Sequence, residues 1–427
     1  MDDLHGRFHR FDRVATPNLW NEAVARSVQV QAAPRRAFTP AMGLIAAALL
    51  LAALAGTVAV GAWLNQPAPV REILTYDNGM IVGNQGCELV AIDPTSLESR
   101  NLIALEEACN IQSLWGTPVW SSDGSRLAYG AFVTPGANSE AAIWVQEAAT
   151  GETHVLQVCP EPGCSDFEIS PDGSLIAYLS YVRDGTVELV VAGVDSGEVQ
   201  RIELTSQPRH PRFSPDGSHI ALPLLGGRSG VYLVDVRGFE DGHIGSPTLL
   251  SGIVDADAVA WSPDGEWVAY SQSGGLGIPD DQEPFNGQIG HSGVGIVIAR
   301  MDGSETRVVA TGSAMGGPSF PTWSADSASV AYVTTPTEGI ATNRWRLELW
   351  TVTIDGGAPT SIYESPWGKE GFAVPEWSPD GEWIAFGLFL PDDPAASGTF
   401  LLRPDGSDVR RASDMMFDPV WQPIPKD

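Results

Sequence analysis

The sequence offers little ready-made chemistry. A serine nucleophile needs a sharp G-x-S-x-G turn to expose its hydroxyl, and Gly227-Arg228-Ser229-Gly230 is one residue short of it. There is no H-E-x-x-H zinc helix, no phosphate-cradling glycine loop and no dinucleotide fingerprint, so no cofactor is expected. The seven histidines are scattered. His210 is singled out because it directly precedes Pro211, at the start of a repeated segment described below. One long insertion, from Gln272 to Gly293, carries Asp280, Asp281, Glu283 and Asn286. These are oxygen ligands of the kind Ca²⁺ takes, though their spacing matches no calcium loop and a solvated insertion is the simpler expectation. His210, Asp280, Asp281, Glu283 and Asn286 are therefore the candidate ligand-face residues. No catalytic residue is expected, and the chain reads as a non-enzymatic protein.

Cys87, Cys109, Cys159 and Cys164 lie in the large C-terminal part, and none lies in residues 1–64. An even count suits disulfides in an oxidising compartment. Cys159-Pro-Glu-Pro-Gly-Cys164 would close a short turn, leaving Cys87 to pair with Cys109. A zinc site needs closely spaced ligand pairs, which this spacing lacks.

Charge and hydropathy divide the chain. Residues 1–40 hold six arginines and four acidic residues, which leaves 18 basic against 49 acidic residues for 65–427. So acidic a surface repels phosphate backbones and argues against a nucleic-acid partner. From Ala41 to Leu64 runs a stretch without a single charge. As a helix it would be about 36 Å long at ~1.5 Å per residue, enough for a ~30 Å hydrocarbon core. Arg26, Arg35 and Arg36 precede it and only Arg71 follows closely, so the positive-inside bias places the N-terminus in the cytoplasm and residues 65–427 outside. The expected order is a short cytoplasmic segment, 1–40; a single transmembrane helix, 41–64, in the lipid bilayer; a linker, 65–70; and an extracytoplasmic domain, 71–427. In the first segment Thr16-Pro17 caps a helix, and Leu19, Trp20, Ala23, Val24 and Val28 recur at helical spacing.

The elements that must position any site emerge from internal repetition. Six segments align, beginning at Pro118, Phe167, Pro211, Val259, Pro321 and Pro375. In each, an apolar or aromatic residue (Trp120, Ile169, Phe213, Trp261, Trp323, Trp377) ends a first strand. A Ser-Pro-Asp-Gly turn follows, with Asp123, Asp172, Asp216, Asp264, Asp326 and Asp380 at its centre, and then an Ile-Ala-Tyr-like second strand. Proline presets φ, aspartate bonds the next amides and glycine tolerates positive φ. Ala325 and Ser327 replace Pro and Gly in the fifth copy, predicting a looser turn there. Third and fourth strands follow at a distance, for example Glu188–Val191 and Thr306–Val309. Four short antiparallel strands repeated radially make the blade of a β-propeller.

These segments resemble the TolB-like, WD-repeat-like propeller repeat, whose hallmark is W-S-P-D-G-x-x-I-A-F, over residues 71–422. Prolyl-oligopeptidase propellers share a similar repeat; here the sequence stops within the last unit, so no hydrolase domain is expected after it. The order of short helix, arginine-rich linker and anchor resembles membrane-bound anti-sigma-like proteins, without their zinc-binding His and Cys. Asp418-Pro-Val-Trp421-Gln copies a first strand with no second strand after it, and Asp77-Asn-Gly-Met-Ile-Val82 is a second strand with no first. Pairing them protects both edges and gives an all-β fold of seven blades; because Glu72–Thr75 could also serve as a first strand, six or eight stay open.

The function expected is a membrane-anchored module that recognises an extracytoplasmic protein, peptide or glycan. The alternative is a sensor coupling the propeller to a cytoplasmic partner of residues 1–40. A third reading, an enzyme with a dispersed site, would gain from several carboxylates and a histidine gathered in the channel.

Overall fold

In a computed structural model the described residues run from 79 to 424, apart from 86–87, 105–113, 133–139, 160–162, 184, 227–228, 252–254, 274–292, 313–316, 340–343, 368–373, 391–392, 394–396 and 415–417. They fall within the unit Val70–Asp427. The anchor 41–64, the helix of residues 1–40, Glu72–Thr75, Cys87, Cys109 and the insertion residues Asp280, Asp281, Glu283 and Asn286 lie outside the described residues. Among the described residues no helix is long and apolar enough to cross a membrane.

Among the described residues seven antiparallel sheets with four strand positions each follow one another along the chain, besides one two-stranded hairpin. Their innermost strands are Leu114–Trp120, Gly163–Ile169, Arg212–Phe213, Asp255–Trp261, Ser319–Trp323 and Glu376–Trp377 in blades 2 to 7. Blade 1 takes its innermost strand, Val420–Trp421, from the other end of the chain: Ile81 pairs with Trp421 and Val82 with Val420. The Gln422 amide donates to Met80 O at 2.7 Å. The fit is close enough that a Cβ on Gly79 would lie 1.6 Å from Gln422 O. The architecture is an all-β propeller of seven blades. Blade 6 adds a short hairpin, Thr337–Gly339 with Arg344–Trp345, between its second and third strands.

The core lies between blades rather than within them. Side chains alternate across each strand, so both sheet faces are apolar and each packs on a neighbour. Among the described residues there are seven such clusters, one per interface. The cluster joining blades 7 and 1 contains Trp383, Leu401, Ile81, Ile92 and Trp421, so the seam where the termini meet is packed like the others.

The turns share one hydrogen-bond scheme. Asp172 Oδ1 accepts from the Ser170 hydroxyl at 2.7 Å and from the Ser174 amide at 3.0 Å, while Ser170 Oγ accepts from the Leu175 amide. Asp123, Asp216, Asp264, Asp326 and Asp380 repeat the pattern. The fifth copy is not looser. Ser327 adopts φ 60°, its amide closes on Ser324 O at 2.9 Å, and its hydroxyl accepts from the Asp264 amide of the neighbouring blade at 3.1 Å. That extra bond offsets the cost of a left-handed non-glycine residue.

A candidate functional site at the channel mouth

Innermost strands line the central channel, and burial along them alternates residue by residue. In the run 117–120 the residues are half-buried, buried, half-buried, buried; 166–169, 320–323 and 418–421 repeat this, and 210–213 does so with His210 exposed. The residue just before the strand-ending aromatic and the one two earlier therefore share the channel side. Two tiers result. The outer tier is Asp418, Thr117, Asp166, His210, Ala258, Phe320 and Val374, from blades 1 to 7. The inner tier is Val420, Val119, Glu168, Arg212, Ala260, Thr322 and Glu376.

The outer tier is polar on one side and apolar on the other. Blades 1 to 4 carry every ionisable group of the outer tier; blades 5 to 7 contribute Ala258, Phe320 and Val374. In the inner tier Arg212 donates to Glu168, with Glu376 close enough to feel both charges. In the outer tier His210 Nδ1 lies 2.6 Å from Asp166 Oδ1, and Thr117 donates to Asp418. The His210 side chain is 57% exposed and Arg212 40%, so the group opens to water.

The backbone makes these placements possible. Asp166 has φ 52°, at a bulge where the register of its strand shifts between Ser165 and Glu168. A bulge re-aims one side chain without ending the strand. The indole Nε1 of Trp261 donates to Arg212 O, and that of Trp421 donates to Glu376 O, each at 3.0 Å. The aromatic of one blade thus holds the backbone that carries the charge of the blade before it.

Electrostatics follow from this crowding. Removal from bulk water pushes the Glu376 carboxyl up to about 8, against the pull of Arg212 and with added repulsion from Glu168 and Asp418. Burial also raises Glu168 against Arg212, and raises Asp418 against His210 and Thr117. Asp166 ends below the usual range: burial alone would raise it, but the His210 contact, the Ser165 hydroxyl and Arg212 outweigh that. The charge of Glu168 raises Arg212. At neutral pH the site therefore combines the protonated carboxyl of Glu376, the ionised carboxylate of Asp166, the Arg212 guanidinium and the His210 ring.

Of the residues singled out in the sequence, His210 stands in this cluster. Asp166, Glu168, Arg212, Glu376 and Asp418 escaped notice. Their shared feature is their column in the repeat, one or three residues before the aromatic, where the other copies hold small or apolar residues. Among the described residues no group of three His, Cys, Asp or Glu side chains is arranged to hold a metal ion. Cys159 and Cys164 form a disulfide in the connection that leads into the Asp166 strand.

No family model matches the sequence. An uncharacterised protein of Agrobacterium fabrum is 25% identical over 65% of this chain and 86% of its own length. Dipeptidyl-peptidase 5 of Porphyromonas gingivalis is 26% identical over 28% of this chain, and the peptidase YuxL of Bacillus subtilis 25% over 40%. The match spans only 19% and 31% of those two peptidases. Among solved structures, a putative TolB from Agrobacterium tumefaciens is 20% identical over 73% of this chain and 98% of its own, with a TM-score of 0.46. The oligogalacturonate lyase of Vibrio parahaemolyticus is 13% identical over 79% and 85%, with a TM-score of 0.50. A prolyl endopeptidase is 11% identical over 78% and 49%, with a TM-score of 0.53. This chain shares the propeller fold of the lyase and the endopeptidase. The expectation of a non-enzymatic protein is overturned: the relatives include named peptidases and the fold is shared with a lyase and an endopeptidase.

Proposed function

We propose that this chain is an extracytoplasmic propeller, held at the membrane by residues 41–64, whose channel mouth binds a cationic group carried on an apolar body. A peptide with lysine or arginine beside apolar residues fits that description, and the peptidase names among the relatives favour peptides over glycans. The observation that carries the reading is the two-sided channel. The carboxyl groups of Asp166, Glu168, Glu376 and Asp418 outnumber Arg212 and His210, and in the outer tier Asp418, Asp166 and His210 face Ala258, Phe320 and Val374. An ammonium group entering there neutralises surplus carboxylate, and its apolar body covers Phe320. The net acidity of residues 65–427 draws cations toward the mouth. The Cys159–Cys164 disulfide agrees with an oxidising compartment.

Benzylamine is the simplest probe of this chemistry, with benzyl alcohol and benzoate as neutral and anionic controls of the same shape. Titration calorimetry of the full-length protein should detect benzylamine and neither control. Glu168→Gln should weaken it by about 1.5–3 kcal/mol, the range of a charge-assisted hydrogen bond. Equal binding of the three probes would contradict the reading.

A further inference from the structure

We infer that His210 is a general base at the channel mouth, held by Asp166, and that it hydrolyses an ester or amide bond of the bound ligand. This rests on the channel mouth being the ligand site and adds an activity to it.

The geometry of the imidazole carries the inference. An ionised carboxylate only accepts, so the 2.6 Å contact fixes the hydrogen of His210 on Nδ1 and leaves the lone pair on Nε2. Asp166 is itself held. Ser165 Oγ donates to Asp166 Oδ2 at 2.8 Å, and because that hydroxyl has one hydrogen, Tyr181, 3.1 Å away, must donate to Ser165. The relay Tyr181–Ser165–Asp166–His210 crosses from blade 3 to blade 4 and ends on a ring that is 57% exposed. A histidine that served only to cap a turn would need neither the left-handed conformation of Asp166 nor the two hydroxyls behind it. The charged groups around the imidazole are Asp166, Glu168, Asp418 and, through Asp166, Arg212.

Ser165 and Thr117, the hydroxyls beside the cluster, already donate to Asp166 and Asp418, so neither is a free nucleophile. The nucleophile is then water. His210 Nε2 takes one proton from it as its oxygen bonds to the carbonyl carbon. The tetrahedral intermediate collapses, the C–O or C–N bond breaks, and the imidazolium gives that proton to the leaving oxygen or nitrogen. One water is consumed, and a carboxylic acid and an alcohol or amine are released.

The test uses the full-length protein with p-nitrophenyl acetate and lysine p-nitroanilide as probes. Turnover should exceed that of His210→Gln by about 10²–10⁴-fold, the span of general acid–base catalysis. Asp166→Asn should lose a similar factor, chiefly in kcat, and Asp166→Glu should recover part of it. Cleavage of neither probe, equal rates in His210→Gln, or full activity in Asp166→Asn would overturn the inference. Benzylamine titration of the wild-type protein separates the two readings, because binding without cleavage of either probe overturns the hydrolytic inference alone, whereas no binding overturns the site itself.

Discussion

Asp166 sits in the left-handed region at a strand bulge, and that conformation sets its carboxylate 2.6 Å from His210 Nδ1 on the next blade. Phe320 occupies the equivalent position in blade 6 with φ 51°, yet presents a ring instead of a charge. The same backbone device thus serves the polar and the apolar side of one channel. Non-glycine residues in this region cost of order 1–3 kcal/mol each and persist where the surroundings over-determine them. At Asp166 those surroundings are His210, Ser165 and Arg212.

The Glu376 carboxyl makes stability depend on pH. Its folded value of about 8 lies above its ordinary 4.5, so between these the folded state holds more protons than the unfolded one. The stability it contributes is complete below about pH 4.5 and is lost as pH rises through 8. Thermal melts of the wild-type protein should fall more steeply between pH 5 and 8.5 than those of Glu376→Gln. Parallel curves would remove Glu376 from the account.

Trp421 closes the ring. It is 3% exposed, pairs with Ile81 and donates to Glu376 O. Replacing a buried tryptophan with alanine costs about 3–5 kcal/mol, a large share of the ~5–15 kcal/mol that holds a domain. Trp421→Ala, or loss of residues 418–427, should lower Tm markedly in calorimetry. A shift of a degree or two would mean that the clasp lies elsewhere.

The blades were legible in the sequence because each repeat states its own strands and turn: aromatic, Ser-Pro-Asp-Gly, Ile-Ala-Tyr. Seven blades followed from matching the orphan strand of Trp421 with the orphan strand of Ile81. The site was far less legible. Glu168, Arg212 and Glu376 lie 44 and 164 residues apart along the chain and meet only because the ring curls their strands to one axis. A bulge at Asp166 left no mark in composition. Ser327 was misjudged for a related reason, since its compensating partner, the Asp264 amide, belongs to another blade.

The turn aspartates should contribute stability at every copy. Asp172→Ala leaves the Ser174 amide and the Ser170 hydroxyl without their acceptor. A loss of about 1–3 kcal/mol is expected, read as a lower denaturation midpoint at constant m. Ser327→Ala should cost a comparable amount by orphaning the Asp264 amide. No change in either would show that the turns are held by blade packing alone.

Compartment and topology have a chemical readout. Non-reducing mass spectrometry of protein from its native compartment should find Cys159 linked to Cys164, and protease added to intact cells should remove the propeller while sparing residues 1–40. Free Cys159 and Cys164 thiols, or a protected propeller, would put the domain on the other side of the membrane.

The most direct measurement of the central claim counts protons. A cation bound between Glu168 and Glu376 must drive Glu376 to ionise, because at pH 7 its carboxyl, with a value of about 8, is mostly protonated beforehand. Calorimetric titration of the full-length protein with benzylamine at pH 7, repeated in buffers of different ionisation enthalpy, reads that proton directly. The account predicts heats that vary with the buffer, reporting net proton release, and that stop varying in Glu376→Gln. Binding whose heat is the same in every buffer, or that Glu376→Gln leaves unchanged, would contradict it.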